Sequence, residues 1–202
     1  MTDKTARQIA NMKKQTIGVE VEMNGITRKS AARVAAEFFG THQYKFTGER
    51  NGYVTWSAWD ADRREWKFQQ DVSIHGDADQ QCELVTPILR YEDIEKLQGL
   101  LRALRKAGAQ NSASLGCGVH IHIGLKSEAG DHTAQTLTNL TNMMAAHEEQ
   151  IGRAIKISER RTAQYCKIVN PDFLRRVNAQ KPQTMSQLRT SGTLGMVQTT
   201  TC

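Results

Sequence analysis

Four cysteines, at positions 82, 117, 166 and 202, are all the chain contains, and no two form a C-x-x-C pair. That spacing excludes a structural zinc clip and a thioredoxin-type redox motif, so in a reducing compartment free thiols are expected. No apolar run approaches the ~20 residues of a membrane helix; the patch from Val34 to Phe39 is among the longest. The opening MTDKTARQIANMKKQ has no apolar signal core, so a cytoplasmic protein with no membrane partner is expected. The usual phosphate cradles are missing too. There is no G-x-x-x-x-G-K-[ST], and Gly116-Cys117-Gly118 lacks the third glycine of a dinucleotide fingerprint. No G-x-S-x-G elbow is present for a serine hydrolase. No internal repeat is found.

What is present fits a globular chain: 39% hydrophobic and 24% charged residues, over 202 positions, enough for one domain with a substantial core. The formal charge of +6 could serve a nucleic acid. The basic residues are dispersed, however, apart from a looser concentration between Arg153 and Arg176, and the aromatics cluster at 38–68 instead of interleaving with them. This argues against a nucleic-acid module, and a cationic surface equally suits a nucleoside triphosphate.

Residues 16–23, TIGVEVEM, alternate strictly and predict a strand with Gly18, Glu20 and Glu22 on one face. A helix is expected over 28–39, stopped by Gly40. From Gln43 to Ile74 the composition predicts short antiparallel strands with a turn near Asp60 to Arg64. The last of these would place Trp66, Phe68 and Val72 on one face and Lys67, Gln69, Asp71 and Ser73 on the other. Gln81 to Thr86 reads as a strand ended by Pro87, and Tyr91 to Lys106 as a helix with a Leu97, Leu100, Leu101, Leu104 stripe. CGVHIHIGL, 117–125, is a second strictly alternating strand. A long helix is expected over about 131–157, with Leu137, Leu140, Met144, His147, Ile151 and Ile155 as its core side. The pattern weakens past Arg160. The resulting division is an N-terminal segment (1–14) expected to be flexible, a catalytic domain (15–182) and an irregular tail (183–202). Strands that cluster without an intervening helix predict an α+β fold with a largely antiparallel sheet.

Two carboxylates at i and i+2 on a strand sit roughly 7 Å apart on one face. If buried, they repel and need a cation; if exposed, they are a polar edge. The second strand sharpens the choice, because His120 and His122 share a face framed by Gly118 and Gly124, and strand glycines often mark a close approach. Glu83, opposite Cys82 and Leu84, adds a third carboxylate. A set rich in carboxylates, with imidazole and no thiolate, suits Mg²⁺ or Mn²⁺ better than structural Zn²⁺. Barrel hydrolases with an H-x-H need ~250 residues, and His122 is not followed by the Asp-His of a β-lactamase-like zinc site.

Taken in order, Gly18-Val-Glu20-Val-Glu22, Trp66…Asp71-Val-Ser73-Ile, Glu83-Leu-Val-Thr-Pro87 and Gly116-Cys-Gly-Val-His120-Ile-His122-Ile-Gly124 resemble the putative amidoligase family. These are carboxylate–amine ligases related to glutamine synthetase and the glutamate–cysteine ligases. The resemblance spans about residues 15 to 170. It implies a curved antiparallel sheet with packed helices around ATP and divalent ions, forming an amide through an acyl phosphate. By the same resemblance Glu20, Glu22, Glu83 and His120 would hold Mg²⁺, and His122 would reach an ATP phosphate. Asp71 and Ser73 would lie toward the substrate, with Arg160 or Arg161 neutralising phosphate charge. The substrates implied are a small-molecule or peptide carboxylate and an amine. One departure stands out: related ligases carry a later E-F-R type strand, and nothing after Asp172 matches it. That leaves open a truncated, catalytically inactive relative that still binds metal or nucleotide, or a site completed by a homo-oligomer or partner. A metal-dependent hydrolase using His120, His122 and a carboxylate also stays open.

Overall fold

The computed structural model describes residues 3–50, 53–126 and 130–193. Cys202 and the last part of the tail lie outside them. The chain divides into two compact units, Met1–Ala129 and Gly130–Cys202.

The first unit runs α1 (Asp3–Lys13), β1 (Ile17–Met23), α2 (Arg28–Phe38), β2 (Tyr44–Arg50), β3 (Tyr53–Trp59), β4 (Glu65–Gln69), β5 (Cys82–Val85), α3 (Ile94–Lys106) and β6 (Val119–Ile123). The strands form one open sheet in the order β2-β3-β4-β5-β1-β6, every neighbouring pair antiparallel. The expected α+β class and antiparallel sheet are therefore observed. Alternation sorts the strand residues into two faces. Val19, Val21, Trp66, Phe68, Cys82 and Leu84 form the core with Ala31, Ala32, Ala35 and Ala36 of α2 and Leu97, Leu100 and Leu104 of α3. The alanine stripe gives α2 a flat side that packs on β2, β3 and β4. Thr27 caps that helix by accepting from Ser30 N–H. The opposite sheet face holds the polar residues.

Several side chains fix the strand ends. Arg28, buried, donates to the carbonyls of Ala78 and Gln81 at 2.8 Å each, pinning the approach to β5. Where Pro87 ends β5, the Thr86 hydroxyl accepts the Val19 N–H at 2.9 Å, satisfying a buried donor beside the strand end. Buried Cys82 has its thiol pushed up to about 12 by burial, which leaves it unreactive. Cys117 and Cys166 are likewise free thiols.

The expected turn at 60–64 is observed, clamped by charge. Asp60 is 2% exposed and accepts from the backbone N–H groups of Asp62 and Arg64, from Arg64 Nε and from the Trp66 indole. Arg64 also donates both terminal nitrogens to Asp93 at 2.8 Å, a bidentate pair beside the start of α3.

The structure departs from the predicted pattern in three places. The strand expected to run to Ile74 ends at Gln69. Residues 71–73 turn instead, with Ser73 N–H donating to Asp71 Oδ1 at 2.8 Å, and Val72 is 60% exposed. Asp71 and Ser73 are thus not a strand-face pair, because the aspartate side chain captures the backbone donor. The N-terminal segment, expected to be flexible, holds α1, which has no buried residue.

The third departure concerns the second unit, which comprises α4 (Ala134–Ala154), α5 (Glu159–Gln164), α6 (Pro171–Gln180) and α7 (Met185–Thr193). Helix α7 occupies part of the tail for which no element was expected. On α4 the expected core side is not buried: Leu140, Met144, Ile151 and Ile155 are all exposed, as is His147. The helix buries Ala134 and Thr138 instead. A reciprocal amide pair between Asn142 and Asn178 ties it to α6. An apolar stripe reports amphipathicity, not which side meets a neighbour.

Candidate functional site

Strand register, which no local pattern reveals, gathers the polar residues. Glu22 of β1 lies opposite Glu83 of β5, and Glu20 lies opposite His120 of β6, with His122 opposite Gly18. Gln69 of β4 faces Glu83 from the other side. Glu20, Glu22, Glu83, His120 and His122 thus occupy one patch of one sheet face.

The contacts are close. His120 Nδ1 lies 3.1 Å from Glu20 Oε2, and His120 Nε2 lies 3.9 Å from Glu22 Oε1. In the tautomer with the proton on Nδ1, Glu20 accepts it and Nε2 keeps a free lone pair for a cation. His122 Nε2 is 3.4 Å from the same Glu20 oxygen, its side chain 61% exposed at the rim. Glu22 is buried, and its Oε2 accepts the Gly118 N–H at 2.6 Å. Glu83 is buried, and its Oε2 accepts from Gln69 Nε2 at 2.7 Å.

Ligand atoms of Glu20, Glu83 and His120 all lie within 4.8 Å of one another, and so do those of Glu22, Asp71 and Glu83. Glu83 belongs to both groups. Asp71, expected toward the substrate, thus stands with the carboxylates. The loop that carries it is docked by His75 N–H donating to Leu115 O and Asn24 Nδ2 donating to His75 O, both at 2.8 Å. Gly116, at φ 78°, closes the same junction: a side chain there would come within 2.8 Å of Ser73 O. Ser73 is exposed and anchors Asp71 through its N–H. Arg160 and Arg161 stand on α5 of the second unit, so the geometry of the first unit does not bear on them. Gly124 has a packing role, since a Cβ there would meet Thr16 Oγ1 at 2.1 Å. Gln69, the partner of Glu83, carries no sequence signature; its only signal was its place on the polar face of β4.

The electrostatics show what this cluster lacks. Burial pushes the Glu83 carboxyl up to about 7, and the nearby charges of Glu20, Asp71 and Glu22 add to that rise against the Gln69 hydrogen bond. A divalent cation would supply the missing countercharge, and oxygen donors with one imidazole suit Mg²⁺ or Mn²⁺. A consequence can be measured in the metal-free protein. Glu83 has a folded value above its ordinary 4.5, so its contribution to stability is fully present below about pH 4.5 and is lost as pH rises through about 7. The unfolding free energy should fall over that window by an amount on the order of 3 kcal/mol at most, and the melting temperature with it. Glu83→Gln should flatten the profile; a variant that keeps the full slope would place the titrating group elsewhere.

A sequence model of the family described as "Putative amidoligase enzyme" matches residues 13–192. The chain belongs to the putative amidoligase family. The match covers every strand of the sheet, the two helices packed on it and most of the second unit. An amidoligase is a ligase that makes amide bonds, which places the clustered carboxylates in an enzyme. No curated protein and no solved structure matches the chain. Among the described residues, no helix is long and apolar enough to cross a membrane.

Proposed function

We propose that this amidoligase joins a carboxylate to an amine at the expense of ATP, with Mg²⁺ held on the β1–β5–β6 patch. The observation that carries the reading is the pair of overlapping ligand groups that share Glu83. A ligase of this kind moves the γ-phosphoryl group of ATP to a substrate carboxylate oxygen, releasing ADP. The amine nitrogen then attacks the acyl carbon, phosphate leaves with the bonding pair, and the amine loses a proton. Such transfers depend on positioned positive charge more than on a protein nucleophile. Glu20, Glu22, Glu83, Asp71 and His120 would hold the ions, which would neutralise phosphate charge. Gly118 N–H and Gln69 fix the orientation of Glu22 and Glu83. His122, exposed at the rim, would reach a phosphate oxygen, and Arg160 and Arg161 are candidates for the same charge. The relation to glutamine synthetase is part of this proposal, as is the acyl phosphate.

The test is a trap. The protein is incubated with Mg²⁺-ATP, mixed amino acids and peptides, and hydroxylamine, and ADP and hydroxamate are measured together. Equal amounts of the two support the acyl phosphate. Nucleotide binding without either product would instead identify a non-catalytic relative, and phosphate release without hydroxamate a hydrolase.

A further inference from the structure

Asp71 differs from the other carboxylates of the cluster in standing on a loop. Strand pairing fixes Glu20, Glu22 and Glu83, whereas Asp71 is placed only as firmly as the segment 70–77 is held. Ile74 is fully buried there, and its carbonyl accepts from Gln81 Nε2 at 2.7 Å. His75 N–H reaches Leu115 O, and His75 O accepts from Asn24 Nδ2. That last bond runs to the loop from the end of β1, two residues beyond Glu22.

Asn24 is 9% exposed and uses both ends of its amide. Its Oδ1 accepts the Gly25 N–H at 2.6 Å, which leaves Nδ2 to donate to His75 O at 2.8 Å. A reversed amide would set carbonyl against carbonyl. The Asn24 backbone forms a reciprocal pair with Gln110, at 2.9 and 2.8 Å, and Asn111 Nδ2 donates to Glu22 O at 2.7 Å. On the loop side Gly76, at φ 108°, packs on the same amide: a Cβ there would come within 2.9 Å of Asn24 Nδ2. Asn24 therefore joins the strand that carries Glu20 and Glu22, the loop that carries Asp71 and the segment that leads into β6.

We propose that Asn24 is a positioning residue for the cation site: through His75 O it holds the loop so that Asp71 meets Glu22 and Glu83. Glu20 and His120 do not depend on it, because the β1–β6 register fixes them. The inference rests on the cation reading of the cluster and adds the residue that assembles its second ligand group. Asn24→Asp isolates the bond. It keeps the Gly25 contact, loses the donor and sets a carboxylate oxygen against the His75 carbonyl.

Mn²⁺ affinity, read by electron paramagnetic resonance, tests this without ATP or turnover. Asp71→Asn should weaken binding at least ~10-fold, and Asn24→Asp by about 10-fold, the effect of losing a group that orients a ligand. The double variant should bind no more weakly than Asp71→Asn alone, because both changes remove the same ligand. Gly76→Ala presses on the same amide from an exposed loop position. It should reproduce the loss, and it decides the matter if Asn24→Asp fails to fold. Asp60→Ala, destabilised at the 60–64 turn, should bind as wild type does; an equal loss there would assign the Asn24 effect to general destabilisation and overturn the proposal. So would wild-type affinity in Asn24→Asp, Gly76→Ala or Asp71→Asn, or an Asn24 loss that adds in full to that of Asp71→Asn. No Mn²⁺ binding by wild type, or none lost in Glu20→Ala, would sink the cation reading and this inference with it. Losses at Glu20 and Asp71 beside an inert Asn24 would sink this inference alone.

Discussion

Glu20→Ala should lower Mg²⁺-dependent ADP release by about 10²- to 10³-fold, the largest effect expected of any single substitution. Glu20 is the residue on which both histidines converge, at 3.1 and 3.4 Å. It also belongs to the group with Glu83 and His120. Removing it deletes a ligand and frees the His120 ring at once. Charge stabilisation by a bound ion is worth several kcal/mol in a phosphoryl transfer, and each 1.36 kcal/mol is tenfold in rate. The variant should fold, since the Glu20 side chain is only part-buried and packs in no core cluster. Steady-state ADP release across a range of Mg²⁺ concentrations measures it. A fall of less than tenfold at every concentration would remove Glu20 from the ion site.

The second large effect is on stability. Asp60→Ala should cost roughly 2–4 kcal/mol, because several buried donors lose their acceptor while Arg64 keeps its pair with Asp93. The loss strands the Trp66 indole, two backbone N–H groups and Arg64 Nε, all of which donate to this carboxylate. Burial alone would raise Asp60, but the Arg64 backbone N–H, the Trp66 indole and the Arg64 guanidinium hold it below the ordinary carboxylate range. The bidentate Arg64 hydrogen bonds do the same for Asp93. Both groups therefore add stability that is present above the ordinary carboxylate pKa and lost as pH falls through their depressed folded values. Urea unfolding of wild type and variant, at neutral pH and in acid, measures both claims. The difference between the two proteins should shrink in acid; a difference independent of pH would assign the effect to packing.

Alternation made the strands of the site legible in the sequence. TIGVEVEM alternates because β1 sits inside the sheet with Val19 and Val21 in the core and its carboxylates on the opposite face. CGVHIHIGL also alternates and forms a strand, but on edge strand β6 Val119, Ile121 and Ile123 are all exposed, which the pattern did not reveal. The turn at 60–64 was legible from polar residues between aromatic strands. The end of β4 was not, because Asp71-Val72-Ser73 continues the alternation while Asp71 turns the backbone through its own side chain. The buried side of α4 was not legible either, since a repeating apolar stripe is also compatible with an exposed one. In the site, residue types suggested a cation, but convergence depends on pairing across strands far apart in sequence. Glu22 meets Glu83, and Glu20 meets His120, only through the register of β1 with β5 and β6. The family resemblance supplied the idea that these strands belong together, and the register gives the physical reason.

The central claim is that Glu20, Glu22, Glu83, Asp71 and His120 form a divalent-cation site, and Mn²⁺ binding followed by electron paramagnetic resonance tests it most directly. Wild-type protein should bind Mn²⁺, Mg²⁺ should displace it, and Glu20→Ala and Glu83→Gln should each weaken binding at least ~10-fold. Absence of Mn²⁺ binding with and without ATP, or equal binding by wild type and both variants, would contradict it.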